Sequence, residues 1–495
     1  MAVEVKKSQE SPTRTALIYA GLAIVIGSVI GLLITEINNP FFILLAAGGL
    51  IVVVATVVSV EFGLLLFIFI TYTRFSDIAI DFYGAPSVAK FFVGLLILAI
   101  LIRWALMGER PAGWQLPVLV LGLYGLIGFL SLVYARNSAS VVYTLSNYVK
   151  DALITLVVVV LLKRAPIFRH VIWTLLAIGI FLGTLSVYKQ ITGTFTNDYG
   201  GFSRAEVAGI SSGTSGYRLT GPIGDPNFYA QIMVVLIPIA IERMLHERKL
   251  LLRLLAGLAG VLCTLTILFT YSRGGFVAML VVLATFFIVY PPRPLQLAVI
   301  IGLGIGIFSL APANYLDRVL TLKDLLPNQS GGIDIRSDNS IQGRASQTLT
   351  AWIMFKESPL VGVGLSNFAE LYPQYSKEVG LAPSASTKSL HNLYLEVATE
   401  TGLLGFSVFM SMIWLAFQSI LSARRKFSEA GQPDYAHLVT GLAIGFIGYL
   451  TAAIFIHAAF PRYFYLLLGI IFALPAIAKQ VQEDILSQGF GLKLQ

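Results

Sequence analysis

HNLYLEVATETGLLG, residues 391–405, carries the chain from a long polar stretch back into an apolar one. It sets an ionisable imidazole, His391, at a boundary between water and lipid. Advancing about 100° per residue from His391 puts Ala398, Gly402, Gly405 and Phe409 on the histidine's side of a helix, with Glu400 turned away. The expected face is shaved to small residues. It either leaves a groove beside the histidine or admits a second helix closely.

The composition around this segment fixes the class. Of 495 residues, 56% are hydrophobic and only 12% charged, against about 25% charged in soluble domains. Lipid offers no hydrogen bonds, so helices must satisfy the backbone internally. The expectation is an all-α polytopic membrane protein of about 12–14 transmembrane helices. The first apolar run, 15–35, is too long for a secretory h-region of about 7–15 residues and reads as a retained span. Cys263 stands alone, which excludes a disulfide or a cysteine metal site within one chain. The net charge of +8 does not imply nucleic acid, since no Lys/Arg run forms a patch for it. More than half of the basic residues fall on alternate connections, among them Lys163, Arg164, Arg169, Arg248, Lys249, Arg253, Arg424, Arg425 and Lys426. The positive-inside rule therefore places those connections and both termini in the cytoplasm.

Two segments on the other side exceed mere connectors. The division expected is N-terminal helices over 1–188, an outer loop and helices over 189–311, a large outer loop over 312–401, and C-terminal helices over 402–495. The first loop ends in YRLTGPIGDPN (217–227), where Asp225 and Pro226 read as helix N-cap and first-turn proline. The second opens with PNQSGGIDIRSDNS (327–340), which has no periodicity. Ala345, Leu349, Trp352 and Ile353 then recur at helical spacing and suit a helix on the outer interface with Trp352 as anchor.

Five histidines are present. His170, His246 and His437 fall on the inner side and read as solvated rim residues; His391 and His457 fall outside. No two histidines have the four-residue spacing of a zinc helix, so neither metal nor cofactor is expected. Arg273 lies in SRGG (272–275), where Gly274 and Gly275 offer backbone N–H groups at a helix start, a good setting for an anion. Arg218, Arg344 and, more weakly, Arg462 join it on the outer rim. Arginines grip phosphates bidentately, and a neutral imidazole removes a proton from a hydroxyl, a contribution of about 10²–10⁴-fold. The set suits transfer from a lipid-linked substrate with a diphosphate leaving group.

Four of these stretches together resemble one family. His391 and Asn392 followed by Gly402-Leu-Leu-Gly405, the run GRASQTLTAWIMFKESPLVGVGLSNF (343–368), SRGG and RLTGPIGDPN are similar to motifs of O-antigen ligases and O-antigen polymerases. The likeness spans Arg218 to Gly405; the first 190 residues share only a series of spans. It implies a GT-C-like helical fold with a large periplasmic loop in the bacterial inner membrane. It implies metal-independent transfer of glycan from a polyprenyl-diphosphate donor to a lipid or sugar acceptor at the periplasmic face. His391 matches the proposed base, Arg218 and Arg273 match arginines that hold the donor diphosphate, and Arg344 and Asn392 match further substrate-binding positions. The span count exceeds the twelve or so usual for the ligases, which bears on the acceptor. A polymerase joining repeat units is the near alternative. A solute transporter, for inorganic carbon for instance, is the distant one, and it would place ionisable residues or broken helices near the midplane of repeated halves.

Overall fold

A computed structural model of the protein describes residues 40–211, 214–309, 339–380, 384, 386–457 and 461–491. The expected span at 15–35, the termini and most of the opening of the large loop lie outside them. In chain order the helices are α1 (Pro40–Val58), α2 (Val60–Tyr72), α3 (Phe75–Tyr83), α4 (Val88–Met107), α5 (Gln115–Leu130), α6 (Ser138–Leu161) and α7 (Ala165–Thr192). A hairpin follows, β1 (Arg204–Ser211) and β2 (Thr214–Gly221). Then come α8 (Pro226–His246), α9 (Leu250–Phe269), α10 (Arg273–Val289) and α11 (Pro294–Ser309). The chain closes with α12 (Asn339–Glu357), α13 (Phe368–Val379), α14 (Leu393–Glu429), α15 (Pro433–Ala452) and α16 (Arg462–Gly491).

The protein is a helical, multi-pass membrane protein. Among the described residues nine helices are long and apolar enough to cross a bilayer, and α2 with α3, bent by 56° at their junction, would make a tenth. The 12–14 expected take in the whole chain, and the run at 15–35 among them lies outside the described residues. The apolar runs near 274–290 and 295–311 do form helices, α10 and α11, but of 17 and 16 residues. At 1.5 Å per residue such helices reach about 25 Å, short of a hydrocarbon core of about 30 Å.

Two compact units are present. One contains the described parts of Met1–Phe67 and Lys90–Pro111. Its tight point is Gly63, where an added Cβ would stand 2.5 Å from Thr56 Cγ2 and 3.0 Å from Leu96. The other contains Ile68–Ala89 and Ala112–Gln495, and with them every candidate functional residue. At its centre is α8, with 83% of its apolar window inside the protein, packed on α9, α10 and α15. Gly441, Gly445 and Gly448 of α15 allow this contact: a Cβ on Gly445 would meet Val235 O at 2.6 Å, and one on Gly448 would meet Val282 at 2.5 Å and Val234 at 2.7 Å. A small-residue stripe thus joins α15 to α8.

In the 391–405 segment the structure departs from the helical projection. His391 precedes the helix, which starts at Leu393, and Gly402 breaks it at φ 62°, ψ −167°. A wheel cannot be carried across that break. The turn Pro359–Gly364 docks there through four backbone bonds: Val363 N to Thr399 O (2.9 Å), Gly364 N to Glu400 O (3.0 Å), Leu403 N to Pro359 O (2.8 Å) and Leu404 N to Leu360 O (3.2 Å). Gly402 therefore serves a backbone seam with that turn. Glu400, buried behind it, accepts the backbone N–H of Ser366 at 2.7 Å and of Phe368 at 3.3 Å, which places a carboxylate on the N-terminus of α13.

The helix expected after Arg344 begins earlier, at Asn339. Ala351 and Met354 sink into a core with Phe368, Tyr372 and Leu390, whereas Leu349 and Trp352 stay exposed, with Lys356 Nζ 5.5 Å from the Trp352 ring. The hairpin was not expected. Its alternation is weak; Leu219 packs with Leu265, Leu268, Phe269 and Tyr271, and Ala205 lies against the same cluster.

A Cβ on Gly402 would fall 2.3 Å from Leu360 C, on top of the left-handed φ that only glycine adopts freely. Gly402→Ala is expected to cost at least about 3 kcal/mol through strain and overpacking. Thermal melting in detergent checks this, with Gly304→Ala, where nothing lies within 4 Å, expected to melt like the parent.

Candidate functional site

Three helix N-termini meet on the second unit. Asp225 caps α8, accepting Asn227 N at 2.7 Å and Phe228 N at 3.1 Å, as its sequence setting indicated. Ser272 caps α10, its Oγ accepting Gly275 N at 3.1 Å, and Asn392 caps α14, accepting Leu395 N at 3.1 Å. Asn227 ties the first two together, since Ser272 Oγ donates to Asn227 Oδ1 at 2.9 Å. Leu393 N to Ala453 O, 3.0 Å, fixes the third against the end of α15. Converging N-termini concentrate positive potential.

Onto this base the chain places Arg218, Arg273 and Arg344. Arg218 projects from β2, largely buried. Its Nε donates to Thr270 O at 2.9 Å, its Nη2 to Asn227 Oδ1 at 3.4 Å, and its Nη1 lies 3.8 Å from Glu206, its partner across the hairpin. Burial lowers its pKa; Glu206 and Asp225 oppose that, and the nearby charges of Arg344 and Arg273 add to it. Three arginines from β2, α10 and α12 thus share one region with Glu206 and Asp225. The turn at Tyr271, a left-handed residue (φ 51°) buried among apolar neighbours, reverses the chain from α9 into α10 and aims Arg273 here.

The glycines beside Arg273 also have a packing role. A Cβ on Gly274 would lie 2.7 Å from Phe455 Cβ, and one on Gly275 2.5 Å from Ala230 Cβ. They admit close packing, and the Gly275 N–H is taken by Ser272. Arg462 is also accounted for: its Nη1 pairs with Asp77 at 2.7 Å, and Arg74 Nε holds the same oxygen at 2.7 Å while its Nη1 donates to Ile223 O at 3.1 Å. That network fastens the turn before Asp225 to α3.

His391 stands beside this cluster. Its ring lies 5.3 Å from that of His457, edge to face, and His457 in turn packs 5.2 Å from Phe228. The Nδ1 atoms of both histidines are buried without a hydrogen-bond partner. Burial, then the Arg344 charge and then His457, push the His391 pKa down to about 4, against a smaller opposing effect of Asp225. The imidazole is therefore neutral at neutral pH, with a basic nitrogen to offer. His457 is depressed by burial as well. Asn392 spends its side-chain oxygen on the α14 cap, so what remains for a ligand is its NH₂ group.

Sequence reasoning thus named Arg218, Arg273, Arg344 and His391, and the fold brings them to one place. It missed Asn227, the hinge of the cluster, although Asn in a DPN turn at a helix start is a visible signal. It also missed Glu242 and His246, four residues apart, because only His–His spacings were compared.

Residues 258–410 match the family model described as O-Antigen ligase. The match includes Arg273, Arg344, His391 and Asn392; Arg218 lies ahead of it, and its place in the cluster rests on geometry. A search among curated proteins gave no match.

Because His391 titrates in the folded protein near 4, below the usual 6.5 or so, the unfolded chain binds more protons between those values. Stability is then expected to fall as pH drops from about 6.5 toward 4, and His391→Gln should flatten that slope. Thermal melts across that window measure it.

Proposed function

We propose that this chain, a multi-pass membrane protein with an O-antigen ligase domain over residues 258–410, transfers glycan from a polyprenyl-diphosphate donor to an acceptor hydroxyl. The observation that carries the reading is one juxtaposition. Arg218, Arg273 and Arg344 stand at converging helix N-termini beside a neutral histidine whose Nδ1 has no partner. Anion binding and proton abstraction are the two tasks such a transfer requires.

In this reading Arg218, Arg273 and Arg344 hold the donor diphosphate. The acceptor oxygen attacks the sugar's anomeric carbon. The new C–O bond forms as the bond to the diphosphate oxygen breaks, and the acceptor proton passes to His391. The polyprenyl diphosphate leaves carrying the electron pair, its charge held by guanidinium groups that need no reorganisation. A hydroxyl donating to an imidazole nitrogen would also satisfy a buried polar atom whose isolation costs about 1–3 kcal/mol. The bound diphosphate offsets the Arg344 charge and raises the His391 pKa from about 4, toward the range where a base works best.

The same chemistry serves a ligase or a polymerase, which differ only in whose hydroxyl attacks. We place the site on the periplasmic face of the inner membrane with both termini cytoplasmic, on the positive-inside argument. The transporter alternative is not favoured, since the chemistry-bearing residues collect at helix ends.

His391→Ala is expected to lower transfer by about 10²–10⁴-fold while the protein still inserts and melts normally. Gels of envelope glycan from cells carrying only that variant provide the check; normal glycan on them would remove His391 from the mechanism. Arg218→Ala and Arg273→Ala are expected to raise KM for the lipid-linked donor, read from donor-titrated transfer assays.

A further inference from the structure

At the opposite end of α8 from this cluster, Glu242 and His246 occupy successive turns of one face, and His437 faces them from the first turns of α15. Seventeen residues separate Asp225 from Glu242 in the sequence, about 25 Å along a helix. Whatever this trio does, it does not touch the reacting groups.

We propose that Glu242, His246 and His437 bind one divalent transition-metal ion of the zinc type. One ligand atom from each residue can be chosen so that all three lie within 4.8 Å of one another. Glu242 Oε1 stands 3.1 Å from His246 Nδ1 and 4.0 Å from His437 Nδ1. Metal–ligand bonds of about 2.0–2.1 Å in a tetrahedron imply ligand separations of about 3.4 Å, which these two distances bracket. The two imidazole rings lie 3.8 Å apart, centroid to centroid, and Tyr290 packs against both, at 5.5 Å and 6.0 Å. Two protonated imidazoles would repel at that distance. Two neutral ones sharing a cation would not.

The surroundings supply what a metal carboxylate needs. Arg243 donates Nε to Glu242 Oε2 at 2.7 Å and Nη2 to Oε1 at 2.9 Å, which orients the carboxylate and leaves Oε1 lone-pair capacity toward the histidines. Arg243 also meets Asp434 at 3.1 Å and Glu247 at 3.6 Å, and Arg169 bridges Glu247 (2.6 Å) and Asp434 (2.8 Å). Three carboxylates against two guanidinium groups leave this network one negative charge, so a divalent cation brings it to +1, not to a prohibitive excess. His246 Nδ1 also lies 3.2 Å from the Glu242 backbone carbonyl oxygen, a contact the ion would replace. Two nitrogens and one oxygen favour zinc-like ions over magnesium or calcium. The His246 and His437 side chains are 27% and 32% exposed, so an ion reaches them from solvent. A bound ion would pin α8 to α15, the contact on which the second unit is centred.

The test uses the full-length protein carrying a histidine-free tag, purified in detergent, stripped with chelator and titrated with Zn²⁺ alone. Calorimetry is expected to show one equivalent bound, at least tenfold more weakly in His246→Ala and in His437→Ala. Zinc should raise the melting temperature of the parent and leave that of the double variant in place. X-ray absorption of the zinc-loaded parent should show two imidazole ligands, a readout that needs no variant to fold. Absence of saturable binding up to about 100 µM zinc, equal binding by the double variant, or a spectrum without imidazole scattering would each overturn the proposal.

Discussion

The site depends on a seam of backbone hydrogen bonds between the turn Pro359–Gly364 and the broken start of α14. Gly402 adopts a conformation only glycine takes freely, and a Cβ on Gly362 would stand 2.4 Å from Glu400 C, so the two chain segments touch main chain to main chain. Four bonds of about 1 kcal/mol each would be modest alone. Their weight lies in what they join. On one side of the seam α12 and α13 form a small core, with Glu400 holding the α13 N-terminus; on the other, Leu393–Thr401 carries His391 to the end of α15. The arginine of α12 and the histidine before α14 come from one sequence-continuous segment because this seam folds it back on itself.

What the sequence disclosed and what it withheld follow from range. Apolar runs were readable because a bilayer penalises every unsatisfied peptide group, so spanning helices announce themselves over about twenty residues. Asp225 as a cap was readable because capping spans three residues. The His391 helical wheel failed at Gly402, where a partner 40 residues upstream breaks the periodicity it assumes. The glycines of SRGG were legible as glycines but not in purpose, since Phe455 and Ala230 lie far away in sequence. Arg462 looked like Arg218 and Arg273 in one dimension; only the fold shows it paired with Asp77. The hairpin carrying Arg218 was hidden because one strand face alone meets a core.

Electrostatics connect the two ends of α8. At its N-terminus the protein assembles guanidinium groups, Glu206, Asp225 and helix ends around a histidine kept neutral by burial. At its C-terminus three carboxylates, Glu242, Glu247 and Asp434, pair with Arg243 and Arg169 beside two imidazoles. Helix α8 itself is the rigid spacer, since most of its surface is spent on α9, α10 and α15. In the two proposals, an anionic substrate binds at one end of this spacer and a cation at the other.

The central claim is that a diphosphate sits within electrostatic reach of His391. Labelled imidazole NMR on the protein in nanodiscs, titrated in pH with and without a polyprenyl diphosphate, addresses it directly. His391 is expected to titrate near 4 in the free protein and at least about one unit higher when the lipid is bound, as the added anion offsets the Arg344 charge. A His391 pKa unmoved by saturating lipid diphosphate would contradict it.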